Sequence, residues 1–141
     1  MKITKKLFNW RTSANISKEK DRNITTVEDE LVCYAACVFK PTDVVEVRRL
    51  PSGKSTWHQA GKLAEAVESL VQDNQLGQHI YVGANPRRSQ GGTKSKDVAC
   101  AHCLFVDFDG ITISEARDRW HNACLPMPTL TIASGHGIHT Y

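Results

Sequence analysis

The sequence predicts a mixed fold of the α/β (α+β) class, because three segments with helical periodicity alternate with five extended apolar segments. The composition is that of a globular domain, with 40% of the 141 residues hydrophobic and 23% charged. Its 5 cysteines are an odd number and no signal peptide precedes them, which indicates reduced thiols in a cytoplasm. The longest uncharged apolar run, residues 31–39, is too short to cross a bilayer, so we expect no membrane partner.

The first predicted elements are a helix and a strand. Thr25 and Glu28 have the spacing of a capping box, and apolar residues follow them at helical intervals until Pro41 closes the segment. Residues 43–50 are typical of a strand, and the Pro-Ser-Gly sequence at 51–53 predicts a turn after it.

A second helix is predicted over residues 57–75, where apolar side chains share one face and Gly77 follows the end. Residues 79–83 then predict a short strand. The polar, basic and glycine-containing segment 89–96 predicts a mobile loop.

The last third of the chain predicts a long strand over residues 98–109, a helix and two short strands. Thr112 and Glu115 repeat the capping-box spacing and predict a helix that ends near residue 124. Strands are predicted over 129–133 and 138–141. A strand as short as the last one is seldom stable at a terminus, so we expect the chain to be part of a longer protein.

Positive charge is concentrated at the N-terminus. Residues 1–25 carry a net charge of +5, whereas the remaining residues carry −2. Such an arm suits a polyanion, because lysines that contact phosphates release counterions. A solvated, flexible terminus explains the same charge pattern.

Asp107 and Asp109 end the apolar segment and, on a strand, would point to the same face. At ~6–7 Å the two carboxylates would repel by about 2–3 kcal/mol at an effective dielectric near 20, and a divalent cation would relieve that repulsion. Hard oxygen ligands favour Mg²⁺ or Mn²⁺. Two exposed aspartates that merely end the sheet or cap the next helix are the alternative.

Three chemistries use such a pair. Nucleotidyl transfer holds two metals across a triphosphate, and some nucleotide-sugar transferases hold manganese. A phosphohydrolase of the haloacid dehalogenase type would use Asp107 as nucleophile and Asp109 as acid. That reading is disfavoured because it needs a later lysine, which the segment after Asp109 lacks, and because Ile111 replaces the usual threonine.

The segment Ser-Gly-His-Gly-Ile-His at 134–139 predicts a turn that leads into the last strand. Gly135 and Gly137 permit positive φ and close backbone approach, so that amide groups can face an anion. Ser134 adds a hydroxyl donor, and His139 lies on the strand that leaves the turn. A plain hairpin turn has the same appearance.

Cys100 and Cys103, with His102 between them, have a spacing that occurs in zinc sites. If residues 98–109 form one strand, the two thiols lie on opposite faces, so we expect the cysteines to be small buried apolar residues instead.

The acid pair at 107 and 109 and the Ser-Gly-His-Gly-Ile-His segment at 134–139 together resemble two motifs of the archaeo-eukaryotic primase superfamily. The resemblance is in particular to the primase-polymerases of phages, plasmids and other mobile elements. The first family motif, hydrophobic-Asp-hydrophobic-Asp, is matched by residues 106–109. The second, Ser-Gly-x-Gly-hydrophobic-His-x-Tyr, is matched by residues 134–141 at every defined position. Segments 44–48 and 81–87 are similar to strands that precede the first motif, so the resemblance spans about residues 40–141.

The resemblance implies a metal-dependent nucleotidyltransferase of DNA replication, a primase and DNA polymerase that adds nucleotides to a 3′-hydroxyl on a template. It implies a small N-terminal α/β module followed by part of an RNA-recognition-motif-like catalytic unit. Asp107 and Asp109 would be catalytic ligands of Mg²⁺ or Mn²⁺. Nucleotide-binding roles are implied for four further residues, Ser134, Gly135, His139 and Arg87.

The implied partners are a DNA template and primer, nucleoside triphosphates and a replicative helicase, in the cytoplasm of a bacterial or phage-infected cell. We therefore divide the chain into a basic flexible arm, 1–25, and a C-terminally incomplete catalytic domain, 26–141. The family has a third motif with another metal-binding Asp beyond the second, so we expect this part alone to be inactive. A non-catalytic nucleic-acid-binding module of replication remains the main alternative.

Overall fold

The computed structural model describes residues 27–133 and 137–141, so the basic segment 1–25 lies outside the described residues. The described residues form three α-helices and two antiparallel three-stranded sheets, which confirms the predicted α+β class. They fall into two compact units, and the chain passes from the first to the second between Leu104 and Phe105. Within these ranges, no helix combines the length and apolar character needed to span a membrane.

The first unit packs two helices and a 3₁₀ helix against a sheet of strand order β2-β1-β3. Its elements are α1 (Val27–Val38), β1 (Val44–Leu50), β2 (Ser55–Gln59), a 3₁₀ helix (Ala60–Ala66), α2 (Val67–Gln75), β3 (His79–Val82) and a second, short 3₁₀ helix (Ser95–Asp97). The core consists of apolar side chains from these elements, namely Leu31, Ala35, Val47, Leu63, Ala66, Leu70 and Ile80. The predicted α1, β1 and β3 are confirmed, as is Gly77, whose φ of +88° ends the second helical segment.

The predicted helix over 57–75 is wrong at its beginning, because residues 55–59 form β2. The turn at 51–53 reverses the chain, helped by Gly53 at a φ of +72°. β2 then pairs with β1 from Val44–Gln59 to Arg48–Ser55. Helical geometry begins only at Ala60, so backbone pairing with the preceding strand overrides the apolar spacing that starts at residue 57.

The predicted strand over 98–109 is wrong over most of its length, because only its last four residues form a strand. The segment 99–103 instead bonds to residues 84–86, which follow β3. These hydrogen bonds run from Ala99 N to Pro86 O (2.8 Å), from His102 N to Asn85 Oδ1 (3.0 Å) and from Cys103 Sγ to Ala84 O (3.3 Å). Hydrogen bonds to carbonyl and side-chain oxygens of residues 84–86 therefore take the place of the strand-to-strand hydrogen bonds that the apolar pattern predicts.

The cysteines are not the buried apolar residues that we expect from the sequence. Cys37, Cys100 and Cys124 are exposed, and the other two are half-buried. The argument that strand alternation separates Cys100 from Cys103 also loses its basis, because neither residue lies in a strand. Burial raises the pKa of the Cys103 thiol, which keeps it protonated at neutral pH.

The second unit contains a sheet of order β4-β6-β5, in which β6 is the central strand. Its elements are β4 (Val106–Asp109), α3 (Ile113–Asn122), β5 (Thr131–Ala133) and β6 (Gly137–Thr140). The short strand β6 is thus paired on both sides, and Ile138 and Thr140 are buried. Pairing on both sides stabilises a strand that, from the sequence alone, is expected to be too short to be stable.

The predicted capping box of α3 is confirmed. The backbone N–H of Glu115 donates to Thr112 Oγ1 at 3.2 Å, and the N–H of Thr112 donates to Glu115 Oε2 at 2.8 Å. The hydrogen bond from the Thr112 backbone, followed by that from its hydroxyl, lowers the pKa of the Glu115 carboxyl. The cap fixes the point at which the chain leaves β4 and turns into the helix.

Candidate functional site

The register of β4 and β6 brings the first predicted acid and the predicted histidine face to face. Asp107 pairs directly with His139, and its Oδ1 lies 3.2 Å from His139 Nε2. The Asp107 side chain is 50% exposed and the His139 side chain is 27% exposed, so solvent or a ligand can reach both. Directly paired residues of an antiparallel sheet point to the same face, which explains how Asp107 and His139 meet although they are 32 positions apart in the sequence.

Asp109 lies two residues along β4 on the same face as Asp107, and the burial pattern of the strand alternates accordingly. Its register partner is Gly137, which has no side chain to cover it. Among the described residues, none forms an ion pair or a side-chain hydrogen bond with Asp109. Its carboxylate is therefore open to a ligand.

The second glycine of the turn is required by a close approach of two strands. A Cβ on Gly137 would lie 2.1 Å from Phe108 O and 3.1 Å from Asp109 Cα. Gly137 is not among the glycines with positive φ, so tight packing against β4 explains this glycine better than the left-handed conformation considered from the sequence. Ser134 and Gly135, to which the resemblance assigns nucleotide binding, lie outside the described residues.

Both carboxylates are exposed, which weakens the argument that a metal is needed to relieve the repulsion between them. At the ~6–7 Å of a two-residue step, their repulsion in a water-like dielectric is only about 0.6 kcal/mol. The donor set is a better guide: Mg²⁺ is commonly held by one or two carboxylates together with substrate phosphates. Within the described ranges, no three His, Cys, Asp or Glu side chains cluster as a complete metal site, so phosphate oxygens would have to complete the coordination.

Arg87, to which the resemblance assigns nucleotide binding, is engaged inside the first unit. Its Nη2 lies 2.6 Å from Oε2 of the buried Glu46, and its Nη1 donates to the carbonyl of Lys94 at 3.1 Å. Only 14% of the Arg87 side chain is exposed, and its Nε is buried without a partner among the described residues. The geometry gives Arg87 a structural role, and nucleotide binding by this residue stays a prediction.

Two aromatic residues extend the same rows of side chains: Phe105, which sequence reasoning missed, and Tyr141, which ends the second motif but was given no role. Phe105 precedes Asp107 by two residues, Tyr141 follows His139 by two, and the ring centroids of Phe105 and Tyr141 are 6.1 Å apart. The signal was present in the sequence, since strand alternation places Phe105 two residues before Asp107 and Tyr141 two residues after His139, on the face of the acids.

The face therefore presents, in order along β4 and β6, an aromatic pair, a carboxylate–imidazole pair and an open carboxylate opposite a glycine. This arrangement can bind a cation and an anion side by side, because the carboxylates attract the cation and the imidazole can donate to the anion. No protein-family model, curated protein or solved structure matches this chain.

Proposed function

We propose that the chain is part of a metal-dependent nucleotidyltransferase of the primase-polymerase type, which adds nucleotides to a 3′-hydroxyl on a DNA template. The observation that carries the proposal is the direct pairing of Asp107 with His139 at 3.2 Å. It is supported by the position of Asp109 one step further along the same face. The two motifs on which the resemblance rests thus contribute to one surface.

In this proposal Asp107 and Asp109 hold Mg²⁺ or Mn²⁺, and the phosphates of the incoming nucleotide complete the coordination. The metal would supply charge neutralisation at the triphosphate and a more acidic 3′-hydroxyl. His139 lies against Asp107, so phosphate bound at that carboxylate is within reach of its ring. The 3.2 Å contact of Asp107 Oδ1 with His139 Nε2 also orients the imidazole.

Primer extension tests the proposal, with the complete reading frame that contains this chain and with Mg²⁺ or Mn²⁺ present. We expect Asp107→Ala to lower extension by at least a hundredfold, because a metal ligand is removed at the reacting phosphate. The matched control is Asp118→Ala, which removes an exposed carboxylate of α3 in the same unit. Undiminished extension by the Asp107 variant refutes the assignment.

A nucleic-acid-binding module without catalysis is the second candidate, and a basic loop of the first unit favours it. Three exposed cations lie between residues 88 and 96, namely Arg88, Lys94 and Lys96. Three side chains hold the loop in place by donating to its carbonyls: Trp57 to Gly92 (3.2 Å), Arg48 to Thr93 (3.4 Å) and Arg87 to Lys94 (3.1 Å). The loop that the sequence predicts to be mobile is thus tethered, with its cations directed to solvent.

Binding to single-stranded DNA as a function of salt tests this candidate. Three phosphate contacts give a slope of log K against log[salt] of about −2, because ~0.7 counterion is released per contact. Replacing the three cations with glutamine should reduce that slope. If the complete reading frame binds DNA in this way but incorporates no nucleotide, the module without catalysis is correct.

A further inference from the structure

The aromatic pair occupies the position next to the candidate metal ligands. Val106 pairs with Thr140 in the sheet, so continuing the register by one residue sets Phe105 opposite Tyr141. The two rings are 6.1 Å apart and tilted by 30°, which is within the range of offset aromatic packing. Phe105 is 53% exposed, so a ligand can reach its ring.

We propose that Phe105 and Tyr141 form a stacking site for the base of the nucleotide whose phosphates are held at Asp107 and Asp109. This inference rests on the proposed function, since it assigns the substrate's base to a definite part of the same face. The occupant is a nucleobase attached to a metal-bound triphosphate.

The spacing along β4 supports this assignment. Phe105 and Asp107 are two residues apart, a strand distance of ~6–7 Å, and Asp109 lies the same distance beyond. In a nucleotide, a single sugar separates the base from the first phosphate, and the other phosphates extend away from the base. A base on Phe105 therefore places the first phosphate near Asp107 and the later phosphates toward Asp109 and Gly137.

The chemistry of the pair also predicts how selective the site is. Stacking on an aromatic ring tolerates every base, because each base has a π-face, whereas discrimination requires hydrogen bonds to base edges. The Phe105 ring has no polar atom. An enzyme that copies a template needs this kind of support, since the templating base and not the protein must select the nucleotide.

The first experiment compares ligands with and without a base. Titration calorimetry with Mg²⁺ measures the binding of the four deoxynucleoside triphosphates and of inorganic tripolyphosphate, which shares the phosphates but has no base. We expect Phe105→Ala to weaken all four nucleotides by about 10- to 100-fold and to leave tripolyphosphate unchanged. Tyr81→Ala, which removes an exposed aromatic side chain from the first unit, is the control and should change neither.

Two further variants separate stacking from other roles. Phe105→Leu keeps an apolar side chain but removes the ring, so a stacking site loses nucleotide affinity whereas a merely apolar contact keeps it. Tyr141→Phe retains the ring and should retain affinity. Circular dichroism of each variant verifies that the fold is intact, and Phe105→Leu provides the result if Phe105→Ala fails to fold.

The failure of this inference is distinguishable from the failure of the proposed function. If Asp107→Ala weakens nucleotides and tripolyphosphate alike while both Phe105 variants bind normally, only the stacking site is refuted. If Asp107→Ala changes neither ligand, the proposed function fails as well. A change of oligomeric state in the Phe105 variants without a change in nucleotide affinity overturns the inference, because the rings then serve a contact between chains.

Discussion

The substitution Gly137→Ala tests whether β4 and β6 approach as closely as the candidate site requires. The new Cβ would lie 2.1 Å from Phe108 O and 3.0 Å from Phe108 C, both of them backbone atoms. Neither strand can relieve the contact by a side-chain rotation, so they must separate by about 1 Å to approach ordinary contact distances. Overpacking of this kind costs about 1–3 kcal/mol, and we expect the upper end because only backbone can move.

Thermal unfolding measures this cost. A loss of about 3 kcal/mol lowers the unfolding midpoint of a domain of this size by roughly 6–12 °C. The matched control is Gly83→Ala, whose Cβ would lie 3.4 Å from Glu46 O, an ordinary contact distance. We expect this control to stay within about 1 kcal/mol of the parent protein. Equal midpoints for the two variants would refute the close approach of β4 to β6.

The remaining predictions concern a helix cap, a buried ion pair and a titrating carboxyl. Thr112→Ala should cost about 1 kcal/mol in urea unfolding, since it removes the hydroxyl that caps α3, and an unchanged midpoint would contradict the capping box. Glu46→Ala should cost about 3–5 kcal/mol in the same assay, because Glu46 is only 4% exposed and Arg87 would be left unpaired; a loss below 1 kcal/mol would contradict it. Burial, and secondarily Asp29, raises the pKa of Glu30 from 4.5 to about 7, so the folded state prefers the protonated acid and loses stability as the pH rises from 4.5 through 7. Glu30→Gln should therefore unfold at a higher temperature than the parent protein at pH 8 but not at pH 4, and an equal difference at both pH values would exclude this titration.

Features fixed by neighbours in the sequence could be predicted. The cap of α3 needs only Thr112 and Glu115, three residues apart, and the structure has it as predicted. The alternation that sets Asp107 and Asp109 on one face is likewise a property of a single strand. The fold class followed from the order of such local signals.

Features that depend on distant partners could not be predicted. Residues 57–59 begin the apolar spacing that predicts a helix, but pairing with β1 makes them part of a strand. Residues 99–103 are apolar enough for a strand, but they bond to the segment after β3. The partner of Arg87 was also hidden, because a buried Glu46 within a strand gives no signal of the cation that will neutralise it.

The candidate site lies between these cases. Each motif is local and could be found, but the sequence does not give the register that sets Asp107 opposite His139. A shift of one residue would move every side chain of β6 to the other face and separate the pair. The close approach of Gly137 to the backbone of Phe108 specifies the register, and this approach is visible only in the folded sheet.

Paramagnetic broadening by Mn²⁺ is the most direct test of a metal and nucleotide site on this face. Backbone amide signals are recorded while Mn²⁺ is added in the presence of a nonhydrolysable nucleoside triphosphate. We predict that the signals of Asp107, Asp109 and His139 broaden first and that Asp107→Ala abolishes this selectivity. If those signals stay sharp while signals elsewhere in the chain broaden, Asp107 and Asp109 do not hold the cation.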